Sequence, residues 1–183
     1  MAIVVTYRLT SRLSMRIAKN GDVHVSAPVG IARKKVLAFI NDHRDWIRKA
    51  RERRQSQEAK RKAFFGQLPL ENRLQRTEAL TRIKAIVLPM VAHYAPLMQV
   101  TPNEIRFRAM ISRWGVCDVK THNITFSIYL LLLPEWCIEH TVVHELAHLI
   151  VPNHSMEFYA VMNRFFPRWK EARRETKRIS KNS

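Results

Sequence analysis

The stretch VVHELAHLIVPNH, Val142 to His154, concentrates three imidazoles and one carboxylate. His144 and His148 are four residues apart, which on an α-helix puts both on one face, one turn apart. Glu145 lies beside them. Two neutral imidazoles in that arrangement reach a single divalent cation such as Zn²⁺, and the adjacent carboxylate reaches a water next to the ion. His154 cannot share the same unbroken helix. At a rise of 1.5 Å per residue it would sit about 9 Å beyond His148. Pro152 changes the geometry. Val151 precedes a proline and is biased toward extended backbone, so the helix is expected to end near Ile150. The Pro152-Asn153 turn can then return His154 to the other two. Three protein ligands leave one position open, as in catalytic rather than closed structural zinc sites.

Other side chains compete for roles nearby. His140 stands one turn before His144. Residues eight apart on a helix are about 12 Å apart, so His140 and His148 cannot bind one ion. His140 is read as facing the substrate or supporting the ligands. Glu171 and Glu175 are alternatives to His154 as third ligand, because carboxylates also bind zinc. Of the 32 Lys and Arg residues, none falls between Thr121 and Asn163. Exclusion of cations from around a metal explains that gap, and so does a plain run of half-buried elements.

Elements must position these groups. Residues 3–9 and 14–17 read as strands. Asn20-Gly21 is a hairpin turn signal, and Val23, Val25 and Ala27 alternate with polar residues. A small antiparallel sheet is expected there. From Ile31 the period becomes helical, with Val36, Leu37, Ile40 and Ile47 on a stripe that Phe39 and Trp46 widen. Past Ala50 the run RERRQSQEAKRK is a solvated helical extension or a basic linker. Residues 77–98 read as a helix carrying Leu80, Ile83, Val87, Met90, Val91, Tyr94 and Leu97 on one face, kinked or restarted at Pro89. EIRFRAMIS reads as a strand, RWGVCDVKTHN as a loop, and ITFSIYLL as a second strand antiparallel to the first. Pro134-Glu135 opens the motif helix. A further helix starts near Ser155 and carries Phe158, Val161, Met162 and Phe165, and a basic segment ends the sequence. Trp114 and Cys117 are read either as part of a loop near the substrate or as ordinary packing residues.

Composition sets the class. At 183 residues with 46% hydrophobic content, the chain buries a real core. The formal charge of +17 favours a polyanionic partner, with residues 44–62 and 164–181 as candidate contacts for DNA or RNA. Cys117 and Cys137 are too few for a disulfide scaffold. The N-terminal residues lack the pattern of a signal peptide, and the longest apolar run is too short to cross a membrane, so a cytoplasmic protein is expected.

HELAHLIVPNHSMEFY, preceded by RWGVC and NITFSIYLLLLPEWCIEHTVV, resembles the YgjP-like family of zinc metallopeptidases, relatives of SprT-like and Wss-type proteases. The resemblance extends from about residue 103 to 169. It implies an α+β, zincin-like metallopeptidase core, a small antiparallel sheet packed on helices with the motif helix at its centre. That core would occupy residues 76–183, after N-terminal antiparallel strands and a basic helix in residues 1–65. It further implies His144, His148 and His154 as zinc ligands and Glu145 as the catalytic residue. Val116, His140 and Tyr159 depart from the family's usual serine, aromatic and tryptophan. They bear on substrate contacts and leave the metal set intact.

The expected reaction is hydrolysis of a polypeptide amide, with Glu145 taking and returning a proton. Tyr159, His140 and Arg113 are the candidate donors to substrate or oxyanion. Two rivals remain. The spacing of the three histidines also resembles the YbeY-like metal-dependent endoribonucleases, which lack the glutamate after the first histidine. A non-catalytic zinc module that binds nucleic acid is the other.

Overall fold

The computed structural model describes residues 2–18 and 20–182, which divide into two compact units, Met1–Ala59 and Lys60–Ser183. In the first unit, strands β1 (Ile3–Arg8), β2 (Ser14–Ile17) and β3 (Val23–Pro28) form a sheet of order β1-β3-β2. Strand β3 is central because its alternation is the cleanest: Val23, Val25 and Ala27 are fully buried while His24 and Ser26 face outward. Gly21, at φ 85°, makes the turn that lets β2 pair antiparallel with β3. Strand β1 pairs parallel with β3, so the sheet is mixed and not antiparallel as expected. Alternation fixes which face of a strand is buried but carries no information about strand direction.

Helix α1 (Arg33–Asp42) contributes Val36 to this core, and Ile47 comes from α2 (Arg44–Gly66). His43 separates the two helices, its Nδ1 donating to the Phe39 carbonyl at 2.7 Å. Leu37 and Trp46, expected on the buried stripe, are exposed. The basic run after Ala50 is helical and continuous to Gly66, which settles the choice between extension and linker.

In the second unit, α3 (Arg73–Leu97) begins at a reciprocal capping box between Asn72 and Gln75. It buries Ala79, Ile83, Val87, Val91 and Ala95, a stripe at four-residue spacing, and leaves Leu97 exposed. Pro89 and Pro96 lie inside the helix without ending it. Both are on its exposed side, where water can take up the carbonyls they leave unbonded.

Strands β4 (Glu104–Arg108), β5 (Gly115–Asp118) and β6 (Asn123–Ser127) form a second sheet, order β4-β6-β5. Here two expectations are corrected. Strand β4 runs parallel to β6, and residues 115–118, read as loop, form an edge strand antiparallel to β6. Four residues that include a glycine are too short for a periodic signal, and the pairing that defines them is made at a distance. Residues 128–132 leave the strand as a 3₁₀ turn, capped by the Ser127 hydroxyl. Then come α4 (Glu135–Ala147), α5 (Met156–Phe165) and α6 (Trp169–Asn182). Helix α4 is the hub, packed by α3, α5, α6 and β5. Its core is Cys137, Ile138, Val142, Val143 and Leu146, all 2% exposed or less. Tyr94 of α3 donates to Glu139 of α4 at 2.5 Å and ties the two helices.

Candidate metal centre

Helix α4 ends at Ala147, slightly earlier than expected, yet His148 keeps right-handed helical dihedrals as its C-cap. Its side chain therefore stays one turn above His144. The chain then tightens: Leu149 and Ile150 make i→i−3 bonds to Leu146 and Ala147. After Pro152, the Asn153 side chain accepts from the Ser155 amide at 3.1 Å and shapes the entry to α5. This turn brings His154 back. One nitrogen from each of His144, His148 and His154 lies within 4.8 Å of the others. The Nε2 atoms of His144 and His154 are 3.1 Å apart.

The donor set fits a divalent cation. Two nitrogens each about 2.0–2.1 Å from one tetrahedral ion would stand roughly 3.3 Å apart. The carbonyl of Val151 lies 3.3 Å from His148 Nδ1. A carbonyl only accepts, so Nδ1 carries the proton and Nε2 presents a lone pair. Burial, and then the neighbouring charges, pushes His144 down to about 3. Burial likewise lowers His148. Both rings are therefore neutral near pH 7, the form that ligates a metal. Phe158 of α5, fully buried, backs all three rings at centroid distances of 5.0, 4.7 and 4.8 Å.

Glu145 does not sit on an open polar face beside the histidines. It is 5% exposed, covered by β5. A Cβ placed on Gly115 would meet its Cγ and Oε1 at 2.6 Å. Burial pushes its carboxyl up to about 8, against the opposing pull of the Cys117 amide that donates to it and of the Arg113 charge. Cys117 is half-buried, and burial raises its thiol to about 11, so it carries no thiolate near pH 7.

A cavity of about 550 Å³ opens over the cluster. It is lined by Arg113, Trp114 and Gly115, by His140, His144 and Glu145, and by Tyr159, Trp169 and Arg173. His140 belongs to this lining and not to the triad: its ring lies 5.8 Å from that of His144, and burial and then the Arg173 charge lower it to about 4. Tyr159 stacks on Trp169 at 4.7 Å and lies 6.4 Å from the His154 ring. Trp114 serves both readings made of it, lining the cavity while its ring meets Phe64 and Phe65. Glu171 and Glu175 do not join the histidines; they pair with Arg168 and Arg178. Sequence reasoning passed over Gly115, the Cys117 amide, Phe158 as backing for the three histidines, and Trp169. Only Gly115 left a signal, since a glycine in a short strand marks close approach of something else.

A mixed α+β fold with three imidazoles and a buried carboxylate at one cavity is the architecture of a metal-dependent hydrolase of the peptidase kind. The YgjP-like metallopeptidase domain matches residues 11–78 and 67–179, and the chain belongs to that family. The crystal structure of the metallopeptidase zymogen of Pyrococcus abyssi abylysin is similar over 50% of this chain and 93% of that one, at 28% identity and a TM-score of 0.45. No curated protein matches. Among the described residues, no helix is long and apolar enough to cross a membrane.

Proposed function

We propose that this chain hydrolyses polypeptide amide bonds at a zinc site held by His144, His148 and His154, with Glu145 as general base and then general acid. The observation that carries the reading is the meeting of the three imidazoles beside a buried carboxylate at one cavity. A zinc ion held there supplies Lewis acidity, which polarises a carbonyl and acidifies water. Glu145 takes the proton of the attacking water and hands it to the leaving amine. The Cys117 amide fixes which way the carboxylate faces. Arg113, His140 and Tyr159 line the same cavity and are the donors available to a developing oxyanion.

The substrate main chain would add to β5. Among the described residues that strand pairs only with β6, so apart from the Cys117 amide, which Glu145 takes, its main-chain groups on the other edge are open to a substrate beside the cavity. In this reading residues 76–183 are a zincin-like catalytic core and residues 1–65 an appended part. The basic runs 44–62 and 164–181 recruit nucleic acid that carries a protein substrate. The carboxylate beside the triad favours this chemistry over the ribonuclease alternative, which does not call for it.

The test incubates zinc-loaded protein separately with unstructured polypeptide, RNA and single-stranded DNA, with and without a chelator. Chelator-sensitive cleavage of polypeptide alone is the expected result. Cleavage of RNA without proteolysis would overturn the reading in favour of the ribonuclease, and binding without any cleavage in favour of a zinc module.

A further inference from the structure

The cavity over the histidines has an unusual balance of charge. Its only acidic lining residue is Glu145, which is buried against β5. Two arginines stand exposed at the rim, Arg113 ahead of β5 and Arg173 on α6. Among the described residues neither makes an ion pair. On the same part of the chain, Arg168 and Arg178 are occupied by Glu171 and Glu175. Arg173 thus keeps its guanidinium donors unspent while lining the same cavity as His140 and His144. Arg173 follows Trp169 by one turn of α6, and Trp169 stacks on Tyr159; all three line the cavity, together with the fully buried Phe158 and Met162.

A stacked aromatic pair with an unpaired guanidinium one helical turn away is complementary to a side chain with a short aliphatic stem and a terminal carboxylate. We infer that the site selects polypeptides carrying an acidic residue, glutamate above aspartate, next to the scissile bond, and that Arg173 reads its carboxylate. This rests on the hydrolytic reading above and adds a substrate class to it. A bound divalent cation reinforces the preference, since it makes the cavity more positive and repels a lysine in the same position. The exposed Lys170, Arg174, Lys177 and Lys181 on α6 add to the same positive field, with the Lys170 ammonium 5.4 Å from the centre of the Trp169 ring.

The test uses unstructured fluorescent peptides in which one glutamate is moved along a neutral scaffold, with glutamine and lysine counterparts. Two quantities are read with zinc-loaded full-length protein: peptide affinity by anisotropy in the Glu145→Gln background, and kcat/KM in the active protein. The preferred glutamate peptide should bind and be cleaved about tenfold better than its glutamine counterpart, the worth of one charge-assisted hydrogen bond. Arg173→Gln should remove that ratio, and Arg173→Glu should reverse it in favour of lysine. Equal cleavage of all three peptides would overturn the inference and leave hydrolysis standing. Arg173-dependent preference for glutamate in binding, with no peptide cleaved, would do the opposite. A glutamate preference that survives in Arg173→Glu, or tighter binding of single-stranded DNA through Arg173 that displaces the acidic peptide, would also overturn it.

Discussion

Gly115 and Glu145 share a space with no room for a methyl group: a Cβ on Gly115 would stand 2.6 Å from the Glu145 Oε1. The glycine is required for room and not for backbone freedom, and the carboxylate is fixed by the strand above it. Gly115→Ala should therefore displace Glu145 while leaving the histidines untouched. Metal content measured on the purified variant should match wild type, and hydrolysis should fall about 100-fold, the usual cost of a misplacement near 1 Å. A variant with full activity would show that the carboxylate position is not critical.

Phe158 carries a second prediction because it touches all three rings. Phe158→Ala removes a fully buried aromatic and should cost about 3–5 kcal/mol of stability by denaturant unfolding. Phe158→Leu keeps most of the volume but loses the flat backing. It should fold and bind zinc about 10–100-fold more weakly, the effect typical of groups that orient ligands. Unchanged affinity in a competition titration would mean that the turn at Pro152 alone orders His154.

The buried carboxyl of Glu145 gives a pH dependence to the metal-free protein. Its folded value is raised from 4.5 to about 8 by burial. A raised value means that the folded state holds the proton more tightly. The associated stability is complete below 4.5, declines as pH rises through the interval, and is lost above about 8. Lowered values at His140 and His144 act oppositely, with stability lost as pH falls below the ordinary histidine range. The comparison with Glu145→Gln separates the two effects, because the histidines are common to both proteins. Thermal melts of the metal-free forms should show wild type losing ground to the variant between about pH 5 and pH 8. A constant difference across that range would contradict the burial of an ionisable carboxyl.

His154 supplies a fourth prediction. His154→Ala removes the only member of the triad that the helix does not hold in place. Zinc should then bind through two imidazoles, with affinity reduced by at least about 100-fold, and the stabilisation conferred by added zinc should shrink accordingly. Glu171→Ala and Glu175→Ala should leave zinc affinity unchanged, because both carboxylates are paired with arginines away from the triad. Loss of zinc from either glutamate variant, in metal analysis, would reinstate a carboxylate ligand.

The meeting of the three histidines was legible in the sequence because each step is local. Helical spacing joins His144 to His148, and a proline breaks the helix so that His154 can turn back. The environment of Glu145 was not legible. A helical wheel assigns it to the polar side with the histidines, and only the tertiary structure shows that β5 covers that side. The same long-range pairing hid β5 itself and the parallel direction of β1 and β4, since strand direction depends on which segments meet and not on alternation within one. Arg173 was visible only as one cation in a basic run. Its place at the cavity follows from how α6 packs on α4.

The central claim is that Glu145 moves the proton while the three histidines hold the metal. It is tested most directly by measuring, on the same preparations, zinc content and hydrolysis of an unstructured polypeptide by wild type and Glu145→Gln. The account predicts equal zinc in both proteins and cleavage by wild type only. A Glu145→Gln protein that holds zinc and cleaves as fast as wild type would contradict it.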